Sequence, residues 1–228
     1  EYDGSGQCVK TGIGDPPPKA ACLFKFPSVE RFGFIWAFNG ETPLFDLPQL
    51  PYSDDQILTN CYKLEFPLHC DPWVFAANTP DMQHLKVVHK MQFGVEDPHA
   101  LVRWHDYGME FHYMATHQGG VPMKNTAGIR GTSAFYRWGQ YGSYWRAGIT
   151  GFGLPRPGRH EVYSFQAVLA GPGARENLDD VYRVSRRTVG EDKDILNTVR
   201  YRQGTLTAGD LTLARFLNYL RRFPRAHP

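Results

Sequence analysis

The stretch from about residue 100 to 170 constrains the fold most. Strand-like runs at about 100–107, 109–117, 131–138, 142–150 and 161–170 follow one another, and their separation by Gly or Pro points to an antiparallel meander. Before it, residues 57–65 alternate as a strand, and a helix is expected over roughly 71–90, where Pro72 and Pro80 restrict its start. After it, helices are expected at about 177–187, 191–202 and 208–222. The last is the clearest: Thr207 and Asp210 form a start signal, and Leu211, Ala214, Leu217 and Leu220 recur at helical spacing. The order strand, helix, long meander, helices implies an α+β fold with one twisted antiparallel sheet packed against helices.

The first 48 residues read differently. Tyr2 to Gly6 is a turn, Asp15 to Pro18 a stiff linker, and Phe32 to Phe38 a buried strand. The proline-punctuated stretch Pro43 to Pro51 then marks a boundary. This opening segment has the character of the tail of a small β-domain whose beginning is missing.

With 42% hydrophobic and 14% aromatic residues, the 228-residue chain is expected to be ordered and long enough to build its core without staples. A net charge of +2 supplies no field suited to nucleic acid, and Arg221 to Arg225 reads as a solvated terminus. No apolar run approaches the roughly 18 residues of a membrane span, and Glu1 to Gly6 does not resemble a secretory signal, so a cytoplasmic location is expected. Cys8, Cys22, Cys61 and Cys70 form no CxxC or CxH pair, which favours reduced, partly buried thiols.

Chemistry concentrates in Ala77 to His89, where Asp81, His84 and His89 put a carboxylate beside two imidazoles in apolar surroundings. Two histidines with one carboxylate on one face of an iron leave positions open for O2 and substrate. On a regular helix Asp81 and His84 share a face, but His84 and His89 lie five apart, about 140° out of register at 100° per residue. A shared ion therefore predicts a wide or broken turn between them. Asp81, one turn before His84, could orient its ring from behind. A third ligand must come from elsewhere, and Glu191-Asp192, at the expected start of a helix, could supply it.

Taken with Asn78, these residues form NxxDxxHxxxxH without a gap, and Glu191 to Asn197 forms an EDxxxxN segment. The chain here resembles the Rieske non-haem iron oxygenases, the large subunits of ring-hydroxylating and demethylating oxygenases. The resemblance implies His84, His89 and Asp192 as iron ligands, Asp81 as the carboxylate bridging towards a neighbouring subunit's cluster, and Asn78 as a nearby polar residue of the site. Ala77 and Asn197 stand where the family has acidic residues. Glu1 to Cys8 looks like the stretch just after the second CxxH of a Rieske cluster, and Phe26-Pro27 with Glu30 to Trp36 looks like the close of that domain. The cluster ligands themselves are absent.

The implied organisation is the end of a Rieske domain over residues 1–48 and a helix-grip catalytic domain over 49–228. The implied cofactors are a mononuclear Fe(II) and, in the full-length protein, a [2Fe-2S] cluster. The implied reaction is O2-dependent hydroxylation, dihydroxylation or dealkylation of an apolar, aromatic or cyclic substrate. A reductase, with or without a ferredoxin, would deliver electrons, and a homotrimer or a multiple of it is expected.

Other readings stand beside this one. Asp194 rivals Asp192 as ligand, and both could merely stabilise an acidic helix start. The same architecture could serve a non-catalytic binding protein for apolar ligands, and a zinc hydrolase lacks a glutamate base next to the histidines. His105, His112 and His117 fall on strand-like runs without forming a second metal site. Trp73, Phe75, Phe135, Tyr136, Trp138, Tyr144 and Trp145 read as core, a few of them bordering substrate. Cys70, beside His69 at the helix entry, reads as a buried thiol.

Overall fold

The computed structural model describes residues 1–228 except 118, 201, 203 and 226–228, and at 154 the backbone only. Two compact units emerge, one comprising Glu1–Leu44 with Pro224 and Arg225, the other Phe45–Phe223.

In the first unit, β1 (Ser28–Arg31) and β2 (Phe34–Ala37) form an antiparallel hairpin. Phe32 and Gly33 connect them with φ values of 58° and 71°, the two left-handed residues that a tight two-residue hairpin turn needs. The buried strand expected over Phe32 to Phe38 is therefore a turn followed by a half-exposed strand, in which only Phe32 is fully buried.

The second unit is built on an eight-stranded, wholly antiparallel sheet. Its strands are β3 (Ile57–Lys63), β4 (Gln92–Phe93), β5 (Val102–His105), β6 (Gly108–His117), β7 (Val121–Arg130), β8 (Ala134–Tyr141), β9 (Tyr144–Arg156) and β10 (Arg159–Leu169). The spatial order is β3-β10-β9-β8-β7-β6, with β4 and β5 both pairing with β6. Strand β7 was not expected from the sequence. Pro122 and Gly128 interrupt its apolar alternation, yet Gly128 is where the chain must be bare, because a Cβ there would lie 2.5 Å from the Tyr136 ring and from the Met109 carbonyl.

Helices α1 (Pro72–Ala77) and α2 (Met82–Val87) replace the single helix expected over 71–90. Pro80 separates them: it has no N–H to continue the ladder and disfavours a helical residue before it. Conversely, the two helices expected at 177–187 and 191–202 are one continuous α3 (Ala174–Thr198). Gly190 lies in the gap between the two expected helices, but the face that buries Leu178, Val181, Ser185, Asp192 and Leu196 runs straight past it, and that packing overrides glycine's low propensity. Residue 201, within the second expected helix, lies outside the described residues. Helix α4 (Leu211–Arg222) follows a start in which the Asp210 carboxylate accepts from the Thr207 N–H and hydroxyl at 2.7 and 2.8 Å.

Alternation places one set of side chains from β6 to β10 on a single face, and α3 packs against that sheet over β10 and β3. The fold is the expected α+β class, an antiparallel sheet held against a long helix. No helix among the described residues is long and apolar enough to cross a membrane. The four cysteines are free; Cys70 is buried and Cys8 partly so, whereas Cys22 and Cys61 are exposed, contrary to the expectation of partial burial. Burial, with Asp71 adding to it, pushes the Cys70 thiol up to about 11, which makes it an inert packing group at neutral pH.

Phe216, fully buried on α4 among Met82, Met109 and Ile129, anchors that helix to the core. Phe216→Ala should lower unfolding free energy by about 3–5 kcal/mol in urea denaturation. Leu211→Ala, at a residue 62% exposed on the same helix, should stay within about 0.5 kcal/mol of the parent.

Candidate metal centre

The local chain path from Asp71 to Met91 explains how two histidines five residues apart come to face each other. Asp71 opens α1 with Pro72 at its first position, and Asn78 closes it. Asp81 then caps α2, its Oδ1 accepting from the backbone N–H of His84 at 2.9 Å. The carboxylate thus fixes where His84 starts from through its backbone, not by the ring contact expected from the sequence.

Helix α2 is short. Its last turn closes with Val88 N–H donating to the His84 carbonyl at 2.8 Å and Met91 N–H to the Leu85 carbonyl at 3.1 Å, while Lys90 adopts φ 54°. The helix therefore ends before His89, as the expectation of a broken turn required. Released from helical register, the His89 ring turns back on His84, with Nε2 to Nε2 at 3.0 Å.

Asp192 approaches both from α3. Its Oδ1 lies 3.2 Å from His84 Nε2 and 3.3 Å from His89 Nε2, and the residue is 4% exposed. Asp192 sits deep within α3, not at the helix start where the sequence placed it, so an acidic first turn does not account for it. Asp194, two positions on, is exposed. Among the described residues, His84, His89 and Asp192 are the group whose donor atoms could hold a metal.

The triangle fits a metal. Three donors about 2.1 Å from one ion, meeting near 90°, lie roughly 3.0 Å apart, and two imidazoles with a carboxylate on one face are the ligand set suited to non-haem Fe(II). Asp192 Oδ1 is a buried oxygen that approaches both rings without the geometry of a hydrogen bond to either, an arrangement that a cation between the three atoms would resolve.

Glu191 completes the setting. Its Oε2 is 3.2 Å from His89 Nδ1, so a proton held on Nδ1 leaves the Nε2 lone pair for the ion. Arg187, one turn earlier, lies 3.8 Å from the other Glu191 oxygen. Burial opposes charge on His89, but Asp192 and then Glu191 outweigh it and hold its pKa above the ordinary imidazole value. Burial likewise resists charge on Asp192, yet its contacts with His84 and His89 keep the carboxyl below its usual range. The acidic residue beside Asp192 was visible in the sequence; its contact with His89, 102 residues away, was not.

The triangle forms one edge of a cavity of about 130 Å³ between α3, the end of α1 and the sheet. Phe75 and Phe135 line it, whereas the other aromatic candidates do not. Asn78 lines it as well, with an Nδ2 that is buried and has no partner. His117, read from the sequence as ordinary, also faces the cavity, as do Arg137, Arg146 and Gln166. Strand alternation could have placed them on one face, but not against a site formed by two helices.

No family model matches this chain, and no curated protein does. Solved structures do. Dicamba monooxygenase bound to dicamba is similar at 16% identity and TM-score 0.64, over 97% of this chain and 76% of that one. NdmA of Pseudomonas putida CBB5 with caffeine is similar at 16% identity and TM-score 0.69, over 96% of this chain and 68% of that one. A further dicamba monooxygenase structure, with non-heme iron and dicamba, matches at 17% identity and TM-score 0.55 over 97% of this chain and 75% of that one. At these identities the likeness is one of fold, and it is shared with oxygenases.

Proposed function

We propose that the chain is the catalytic part of a Rieske-type non-haem iron oxygenase, acting on an apolar, aromatic or cyclic small molecule. The observation that carries this reading is the convergence of His84 Nε2, His89 Nε2 and Asp192 Oδ1 within 3.0–3.3 Å at the edge of a largely apolar cavity. The fold likeness to dicamba monooxygenase, one structure of which contains non-heme iron, and to NdmA supports it.

Ferrous iron, when bound, supplies redox chemistry towards O2 that is spent on hydroxylating, dihydroxylating or dealkylating the substrate. The chain's own groups do the rest. His84, His89 and Asp192 would hold the iron, at the edge of the cavity that would admit the substrate. Glu191 keeps the proton on His89 Nδ1, and Phe75, Phe111 and Phe135 exclude water from the reacting bond. Asn78 offers an amide N–H to a polar atom in the cavity.

Asp81, fixed at the start of α2, is assigned the electron bridge towards a Rieske cluster on a neighbouring subunit, in a trimer or a multiple of it fed by a reductase with or without a ferredoxin. Residues 1–48 are assigned to the end of the Rieske domain. This predicts CxH and CxxH pairs ahead of Glu1 in the full-length protein; their absence from the complete coding sequence would remove the oxygenase reading.

Anaerobically purified protein should contain stoichiometric iron, and His84→Ala, His89→Ala and Asp192→Ala should each reduce it to background while circular dichroism stays unchanged. Iron retained in all three would overturn the ligand assignment, and zinc in place of iron would favour a hydrolase. A non-catalytic binding protein would purify without metal and keep its ligand affinity in His84→Ala.

Protons compete with metal for His89. Because its pKa in the metal-free protein is raised, Co(II) affinity should fall as pH is lowered through that value. Glu191→Gln removes one of the interactions that raise it, so proton competition should begin at lower pH. Well above neutrality the same variant should bind Co(II) about 10–100-fold more weakly, because the His89 ring loses its orienting partner. Titrations of Co(II) absorbance across pH check both effects.

A further inference from the structure

The cavity holds a cation that the metal centre does not use. Arg146 lies on β9, opposite Gly139 on β8 and Val168 on β10, in the middle of the sheet and facing the cavity. It is 2% exposed. Its Nε and Nη1 have no partner, and Nη2 reaches only the Met123 thioether at 4.0 Å. The guanidinium lies 3.6 Å from the centre of the Tyr141 ring, a cation–π contact that offsets only part of its lost hydration. Burial and then Arg137 draw its pKa down to about 9, so it stays charged at neutral pH.

No described residue lining the cavity pairs with that charge. Among the described residues that line it, Asp192 is the sole carboxylate, and it faces the histidines. A second guanidinium, Arg137, lines the same space. His117 beside them is hydrogen-bonded through Nδ1 to the Tyr141 hydroxyl at 3.2 Å, and burial together with Arg146 and Arg137 lowers its pKa to about 4, which leaves it neutral. A divalent ion at the triangle would outweigh Asp192 and leave the whole cavity positive. A buried ionic group without a partner costs stability, and a planar fork of free N–H groups is the partner suited to a carboxylate.

We infer that the cavity takes an anionic substrate, a single-ring carboxylic acid whose carboxylate pairs with Arg146 while its ring lies among Phe111, Phe135 and Met123. The size agrees: about 130 Å³ is close to the roughly 150 Å³ of an apolar cavity that admits one benzene ring. Gly148, on the same face and two residues along β9 from Arg146, widens the floor, since a Cβ there would meet the Gln166 side chain at 3.1 Å. This inference rests on reading the cavity as the substrate site of the proposed oxygenase, and it narrows the substrate from a wholly apolar molecule to an apolar ring that carries one carboxylate.

Benzoate and its neutral isostere benzamide separate charge from shape. In calorimetric titrations of the metal-loaded protein, benzoate should bind at least about tenfold tighter than benzamide. Arg146→Gln should abolish that preference by weakening benzoate, with benzamide changed less than about twofold, and Arg146→Lys should restore part of it. Benzoate should raise the Tm of the parent but not of Arg146→Gln, whose own Tm should not fall, because the variant removes an unpaired buried charge.

His84→Ala, expected to lack metal, provides the separating arm. A benzoate preference that persists there locates the anion at Arg146 and stands even if the iron assignment fails. A preference lost in His84→Ala but kept in Arg146→Gln would mean that carboxylate binds the metal, and would overturn the inference. Equal binding of benzoate and benzamide by the parent, or binding of neither, would also overturn it while leaving the iron content of the protein as a separate result.

Discussion

The site depends on α3 lying along the sheet with Asp192 on its buried face, between Ser185 and Leu196. His84 and His89 are local neighbours, but a pair of imidazoles is only a weak binding surface for an ion until a carboxylate closes the third corner. That corner comes from a helix about a hundred residues downstream. The packing of Leu178, Val181 and Leu196 against the sheet is what holds it there, so the position of a ligand oxygen is set by hydrophobic burial on either side of it. A helix broken at Gly190 would cut this support next to the ligand.

The short α2 is the complementary device. A longer helix would have sent the two rings in different directions. Pro80 prevents α1 from running on, Asp81 restarts the helix, and the chain leaves it after Val87, so that His89 lies outside the helix and the left-handed Lys90 follows. Backbone termination, instead of a widened helical turn, solves the spacing of five. The electrostatics follow from this geometry: two imidazoles, Asp192 and Glu191 form a chain of mutually dependent contacts on the helix side of the cavity, while Arg137 and Arg146 place uncompensated positive charge on the sheet side.

Much of this was legible in the chain. The meander from β6 onwards, apart from β7, could be read from alternation and glycine punctuation, and α4 from its Thr207 start signal. The residues that converge at the candidate site could be singled out because Asn78, Asp81, His84 and His89 stand in one uninterrupted motif and Glu191-Asp192 in a second. What was misread has a common cause. Pro122 and Gly128 mask the alternation of β7, and α3 runs unbroken across the gap left between the two expected helices, because tertiary packing overrides local propensity at both places. Helical spacing puts Asp81 near His84 but does not say which atom its carboxylate meets, and that atom is the backbone N–H.

The sequence by itself determined the types of donor available, the class of fold and the segments that carry the chemistry, since these follow from residue identity and short-range periodicity. Only the tertiary structure decided that Asp192 and not Asp194 turns inward, that Glu191 meets His89, and that Arg146 is buried without a counter-charge. Each of these depends on contacts between segments tens to a hundred residues apart, and no local pattern encodes which of two neighbouring side chains a packed helix will present to a sheet.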